Sequence, residues 1–192
     1  MIKPFKVQIS EENLQKIYSK VKNYHWHEMP DDGGWDYGTN LDYMKKFSKY
    51  WIENLSLIPH PEGGYYKEVY RSDNSFQPKD FTGHRNYMTS IHFLLEKGDV
   101  SHFHSIKSDE LWCYQAGDSL TVFVLYPEGE LKKLIIGPNL ECGEVLQAVV
   151  PEGTVFGSKS NGEYSLVGCM VSPGFDFNDF KSQLSQMKKM GS

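Results

Sequence analysis

The 192-residue chain has no long basic run, and its 20 Lys and Arg are outnumbered by 25 Asp and Glu, for a formal net charge of −5. It therefore lacks the electrostatic footprint that phosphate neutralisation requires, and nucleic acid is not an expected partner. No apolar run approaches the roughly 20 residues needed to cross a bilayer, and "MIKPFKVQIS" lacks the apolar stretch of a secretion signal, so a cytoplasmic protein away from membranes is expected. Cysteine is scarce: Cys113, Cys142 and Cys169 are odd in number, widely spaced and free of any CxxC pattern, which excludes a disulfide framework and a zinc knuckle. There is no internal repeat, no low-complexity segment and no G-x-S-x-G nucleophile elbow.

Aromatic residues are abundant instead, with twelve Tyr, eleven Phe and four Trp. Such rings bring large contact areas to β-rich cores and to ligand pockets alike. From Tyr65 onward, short runs rich in β-branched and aromatic residues are separated by Gly, Pro, Asp or Asn: "YYKEVYRS", "YMTSIHFLLEKGD", "ELWCYQAGD", "LTVFVLYPEGE", "LKKLIIGPN", "EVLQAVVPEG" and "YSLVGCMVSPG". No helix-length segment lies between them, so the expected fold is mainly β, a sandwich or barrel.

Before them, "SEENLQKIYSKVKNYHW" has an N-cap at Ser10 and apolar residues at helical spacing, and "TNLDYMKKFSKYWIENL" places Leu41, Met44, Phe47, Trp51 and Leu55 on one face. Two helices forming an extension over 1–52, followed by a β domain over 53–192, are expected.

The stretch "SHFHSIKSDELWCYQAG" concentrates chemistry. On a regular strand, residues two apart share a face, so His102 and His104 are expected to project together, with Glu110 returned to face them by the turn "SIKSD". Two imidazoles and a carboxylate are donors for Mn, Fe, Ni, Cu or Zn. Three readings stay open: a divalent metal at His102, His104 and Glu110; a metal-free pocket with His104 as general base and Glu110 orienting it; and buried polar residues satisfied locally. His92, between Ile91 and Phe93, faces either pocket or solvent. Arg71 suits an anionic ligand because its planar fork matches carboxylate and phosphate, while Glu68, three residues earlier, is expected on the opposite face. Tyr66, Tyr70, Tyr87 and Tyr114 are candidate acids, Asp176 and Asp179 candidate ligand holders, and Cys113 a packing residue. His25 and His27 form a second HxH pair without a convergent partner.

Gly98, His102, His104, Glu110 and Gly117 resemble the first motif of the cupin superfamily, with a shorter Gly98 to His102 spacing and one extra residue before Glu110. Gly143, Pro151 and Gly153 resemble the second motif, whose histidine slot falls on Phe156, so a metal site would have to recruit water, Gln147 or substrate. "HPEGGYYKEVYRS", "SDELWCYQAGDSL", "VVPEGTVF" and "SLVGCMVSPGFDFNDF" narrow the resemblance, over about residues 51–181, to one functionally obscure cupin subfamily. That subfamily carries Arg and His where this chain has Ser105 and Cys113. The resemblance implies a jelly-roll β-barrel, a homodimer and a small-molecule ligand. Similar cupins that epimerise deoxysugar nucleotides use a barrel histidine and a tyrosine without metal, which implies an isomerase or epimerase acting on a polar, sugar-like or anionic ligand. His104 and Glu110 would be catalytic, and Arg71, His92, Tyr114 and Gln147 would bind ligand. A non-catalytic ligand-binding or storage cupin and a metal-dependent oxygenase or isomerase are the alternatives. Residues 4–51 resemble the N-terminal segment of microsomal-type epoxide hydrolases, with no hydrolase domain following.

Overall fold

The computed structural model describes residues 41–182, with side chains from Lys46 onward. Helix α1 (Leu41–Asn54) leads into strands β1 (Ile58–Pro59), β2 (Tyr65–Arg71), β3 (Ser75–Phe76), β4 (Arg85–Asn86), β5 (Thr89–Glu96), β6 (Val100–Ser105), β7 (Asp109–Gly117), β8 (Leu120–Leu125), β9 (Leu131–Ile136), β10 (Gln147–Val150), β11 (Val155–Ser160), β12 (Tyr164–Ser172) and β13 (Lys181–Ser182). The first of the two expected helices and the His25/His27 pair lie outside the described residues.

The strands form a six-stranded sheet in the order β1-β2-β5-β12-β7-β10, a five-stranded sheet in the order β13-β6-β11-β8-β9, and the small β3-β4 ladder. Every ladder between named strands is antiparallel, and non-consecutive strands lie side by side in both large sheets, as in a jelly roll. The main core draws on both sheets: Phe93, Trp112 and Val167 from one meet Val122, Val124 and Phe156 from the other. Of the predicted face of α1, Phe47, Trp51 and Leu55 pack inward, joined by Ile52, and the side chains of Leu41 and Met44 lie outside the described residues. Phe47, Trp51 and Ile52 pack with Leu94, Leu166 and Tyr164 in a second cluster beside the six-stranded sheet.

Two β-bulges set the chemistry of the interior. Along β6, Phe156 of β11 stands opposite His104 while Ser158 stands opposite Ser101, so three steps of β6 match two of β11. The extra residue breaks the alternation: Ser101 and His104 are buried, and His102 and Phe103 are exposed. Gly157 permits this, because a Cβ there would lie 2.7 Å from the Ser101 carbonyl oxygen. In β2, Glu68 pairs with Ile91 and Tyr70 with Ser90, so Val69 is the additional residue and Glu68 and Arg71 emerge on one face.

Strand β11 is missing from the sequence-based reading, since "VFGSKS" has one apolar pair, a glycine and three polar residues. Its partners on both sides, β6 and β8, supply the strand character that its composition lacks.

The chain closes over one end. "PGFDFNDF" carries Asp179 into a buried, two-pronged ion pair with Arg85, at 2.6 and 3.0 Å. Asp179 thus ties the closing segment to β4.

Gly157→Ala should force β6 and β11 apart. We expect a loss of roughly 1–3 kcal/mol, the usual range for an overpacked interior site, measured by urea unfolding.

Candidate functional site

A cavity of about 530 Å³ opens between the sheets. Its deep wall is polar, with His60, Glu62, His104 and Glu110 all at most one-tenth exposed. Ile91, Ile106 and Val171 line its apolar sides, and the exposed Glu68, Arg71 and Phe177 mark its mouth.

Glu62 comes from the loop "HPEGG" between β1 and β2. Gly63 there has φ +112°, a conformation rarely open to other residues, and a Cβ on it would collide with the Val100 carbonyl oxygen. The Glu62 carbonyl accepts from the His102 backbone N–H at 2.8 Å and from His102 Nδ1 at 2.6 Å. His102 is therefore a clamp on the loop.

Tautomers follow from these contacts. His104 Nδ1 lies 2.8 Å from the His102 carbonyl oxygen, which can only accept, so Nδ1 carries a proton. The neutral ring then presents a lone pair at Nε2, 3.1 Å from Glu62 Oε2. For that contact to be a hydrogen bond between neutral groups, Glu62 is the protonated carboxyl and donates. Ser101 Oγ donates to the other oxygen, Oε1, at 3.0 Å. His60 Nδ1 accepts from the Glu62 backbone N–H at 3.2 Å, so His60 carries its proton on Nε2.

Burial accounts for the same protonation pattern. It raises Glu62 to about 8, with the repulsion of Glu110 adding to the effect and the Ser101 hydroxyl opposing it. It raises Glu110 to about 7 against the opposing pull of Trp112 and Cys169. It lowers His104 to about 4, and lowers His60 to about 4 with help from the positive form of His104. Taking charge out of water is the dominant cost in every case, so all four groups shift toward their neutral forms.

Of the residues expected from the sequence, His104, Glu110 and Arg71 line this cavity. Tyr66 and Asp176 line it as well, and the remaining candidates lie elsewhere. His102 points out of the barrel because the β6 bulge reverses it. His92 neighbours Ile91, which faces the cavity, and alternation sends it to the outer surface, where Nδ1 meets Gln115 Oε1 at 3.0 Å. Gln147 is exposed on β10 opposite Cys113. Tyr114 packs against the core and donates to the Gly117 carbonyl at 2.7 Å. Glu68 shares a face with Arg71 and binds it at 3.0 and 2.7 Å. Among the tyrosines Tyr66 lines the cavity, whereas Tyr70 and Tyr87 are about half exposed and lie outside it. Asp176, Phe175 and Phe177 line the mouth, and the Phe180 ring stacks on His104 at 5.1 Å.

His60 and Glu62 were not singled out from the sequence as site residues. The available signal was the Glu–Gly–Gly run, since paired glycines after an acidic residue allow a tight, buried turn.

The metal pattern of the general fold does not fit these residues. His102 is turned away, His104 Nε2 is engaged by Glu62, and the Phe156 ring fills the fourth-ligand slot 4.2 Å from the His104 ring. Among the described residues, no three His, Cys, Asp or Glu side chains come together as a ligand set.

Two facing antiparallel sheets with crossover strand order and a polar-floored cavity define a cupin-type barrel. The chain belongs to the family described as "Cupin superfamily (DUF985)", whose model matches residues 49–183. It is 35% identical to "Uncharacterized protein YML079W" of Saccharomyces cerevisiae over 67% of this chain and 71% of that one. Among solved structures, protein SO0799 from Shewanella oneidensis is 45% identical with a TM-score of 0.67, covering 73% of this chain and 88% of that one. A hypothetical protein from Leishmania major is 38% identical with a TM-score of 0.68, covering 74% and 91%. "Epoxide hydrolase 1" of Sus scrofa is 29% identical over 68 residues, 31% of this chain and only 15% of that protein.

The shifts fix how stability depends on pH. Between about pH 4 and 6.5 the unfolded chain binds more protons at His60 and His104, so these groups add stability as pH rises. Above the unfolded carboxyl value of about 4.5, native Glu62 and Glu110 hold protons that the unfolded chain has lost, so these groups subtract stability as pH rises to about 8 and 7. The opposing contributions overlap below pH 6.5, and only the carboxyl contribution remains above it. Unfolding free energy measured in urea at pH 6.5 and 8 should therefore fall across that interval, and Glu62→Gln should flatten the fall.

Proposed function

We propose that the protein is a small-molecule enzyme of the isomerase or epimerase kind that moves protons without a metal. The observation that carries this reading is the His104 Nε2 to Glu62 Oε2 contact at 3.1 Å in the cavity wall, with Glu110 in the same wall. General acid–base catalysis works best when the acid and the base titrate near the working pH. Glu62 near 8 and Glu110 near 7 meet that condition, and His104 near 4 does not. The base role passes from His104 to Glu110, and His104 becomes the positioning residue that aims the Glu62 proton.

In this reading, the Glu110 carboxylate takes a proton from a carbon next to a carbonyl, and the C–H electron pair moves onto the carbonyl oxygen. His60 Nε2–H and the Tyr66 hydroxyl are the cavity donors able to meet that oxygen. Glu62 returns a proton to carbon and is left ionised while Glu110 is left protonated. Exchange with solvent resets both. The Ile91, Ile106 and Val171 side walls keep the surroundings apolar, which strengthens each of these interactions.

The rival reading is a ligand-binding cupin without chemistry. To decide, small carbonyl compounds that raise the melting temperature are incubated with the protein in D₂O and followed by proton NMR. We expect deuterium to replace one carbon-bound hydrogen, and Glu110→Gln and Glu62→Gln each to slow this by about 100-fold or more. Compounds that stabilise the protein yet exchange nothing would leave the binding reading in place.

A further inference from the structure

Resting on the cavity assigned above, we propose that its ligand carries an ammonium group and no acidic group, an amino sugar or another small polar amine. The sequence-based expectation of an anionic ligand rested on Arg71, and the structure shows that guanidinium already committed. Nε and Nη2 bind both oxygens of Glu68, and Nη1 binds Asn86 Oδ1 at 2.9 Å and the Phe175 carbonyl at 3.2 Å. Four bonds engage a group that has five N–H donors, and Glu68 cancels its charge. Arg71 therefore straps the closing segment to β2.

Apart from the two histidines, the remaining ionisable side chains of the cavity are all acidic. Glu62, Glu110 and Asp176 line it, and its two histidines are buried in neutral tautomers. Glu110 is only 8% exposed and faces the cavity, and among the described residues no basic side chain pairs with it. A buried carboxyl without a counter-ion is costly to ionise, and a ligand cation supplies the missing partner. An incoming carboxylate or phosphate would instead meet three acidic side chains and no uncommitted cation.

The walls agree with this assignment. Tyr66, Phe175 and Phe177 line the cavity, and aromatic faces attract ammonium groups.

Two matched trios test the assignment by calorimetry at pH 7.5: glucosamine, glucose and glucuronate, and butylamine, butanol and butyrate. In at least one trio the ammonium member should bind at least about tenfold more tightly than its neutral counterpart, and the acid should not bind. Glu110→Gln should erase that preference. Asp176→Asn, at the mouth, should weaken it, and it keeps the test decisive should the first variant fold poorly. Equal or tighter binding by the neutral or acidic members, or no binding by either amine, overturns the proposal. The deuterium experiment keeps the two readings separate. Neutral sugars that exchange hydrogen in a Glu110-dependent way would sink the ammonium assignment and keep the chemistry, whereas amines that bind without exchange would do the reverse.

Discussion

A closed circuit of hydrogen bonds between the loop "HPEGG" and β6 holds the cavity together. The Glu62 carbonyl receives the His102 backbone and ring donors, the His102 carbonyl receives His104 Nδ1, and His104 Nε2 returns to the Glu62 carboxyl. Each link fixes the next, because a carbonyl can only accept and a neutral imidazole carries one donor and one acceptor. The carboxyl of Glu62 and the ring of His104 cannot be placed independently. Two segments about 40 residues apart in the chain become one rigid unit through groups that are individually ordinary.

The same circuit lets four ionisable side chains share one buried wall. As ions, two carboxylates and two imidazolium rings would lose their hydration for a Coulomb return that rarely covers the loss. As neutral groups they need only hydrogen bonds, and the loop, Ser101 and the His102 carbonyl provide them. The wall is stable because burial holds its groups near their neutral forms, and a carboxyl that titrates near neutral pH gives a proton in one form and takes one in the other. The reactivity proposed for the site and its tolerance of burial thus have a single cause.

The architecture was legible in the sequence because it rests on repeated local signals: β-branched and aromatic runs, turn residues between them, and the helical spacing of Phe47, Trp51 and Leu55. His104 and Glu110 were legible for the same reason, as polar residues in otherwise strand-like runs. The rest depended on two bulges. A strand read at period two places His102 with His104 and separates Glu68 from Arg71, and the extra residues near His102 and at Val69 invert both statements. Nothing in the β2 run marks its bulge. The β6 bulge has a trace in Gly157, but that residue is on the neighbouring strand, where its meaning emerges only once the pairing is known. His60 and Glu62 escaped notice because their partners are distant in sequence and no spacing rule connects them.

Loss of the fold's usual metal set and the change of sign at the cavity have a common logic. Phe156 puts a ring where a ligand histidine would stand, and stacking with Phe156 and Phe180 holds His104 in an apolar bracket. An imidazole in that bracket is driven to its neutral form, and it then serves as an acceptor for a protonated carboxyl rather than as an electron donor to a cation. The bulge in β2 brings Glu68 onto Arg71, the one Lys or Arg among the described cavity residues, and leaves Glu110 without a basic partner. In this barrel the buried carboxyls hold protons, and the proposed ammonium ligand would compete with the proton for the same oxygens. The fold permits either arrangement, and the side chains at a few positions choose between them.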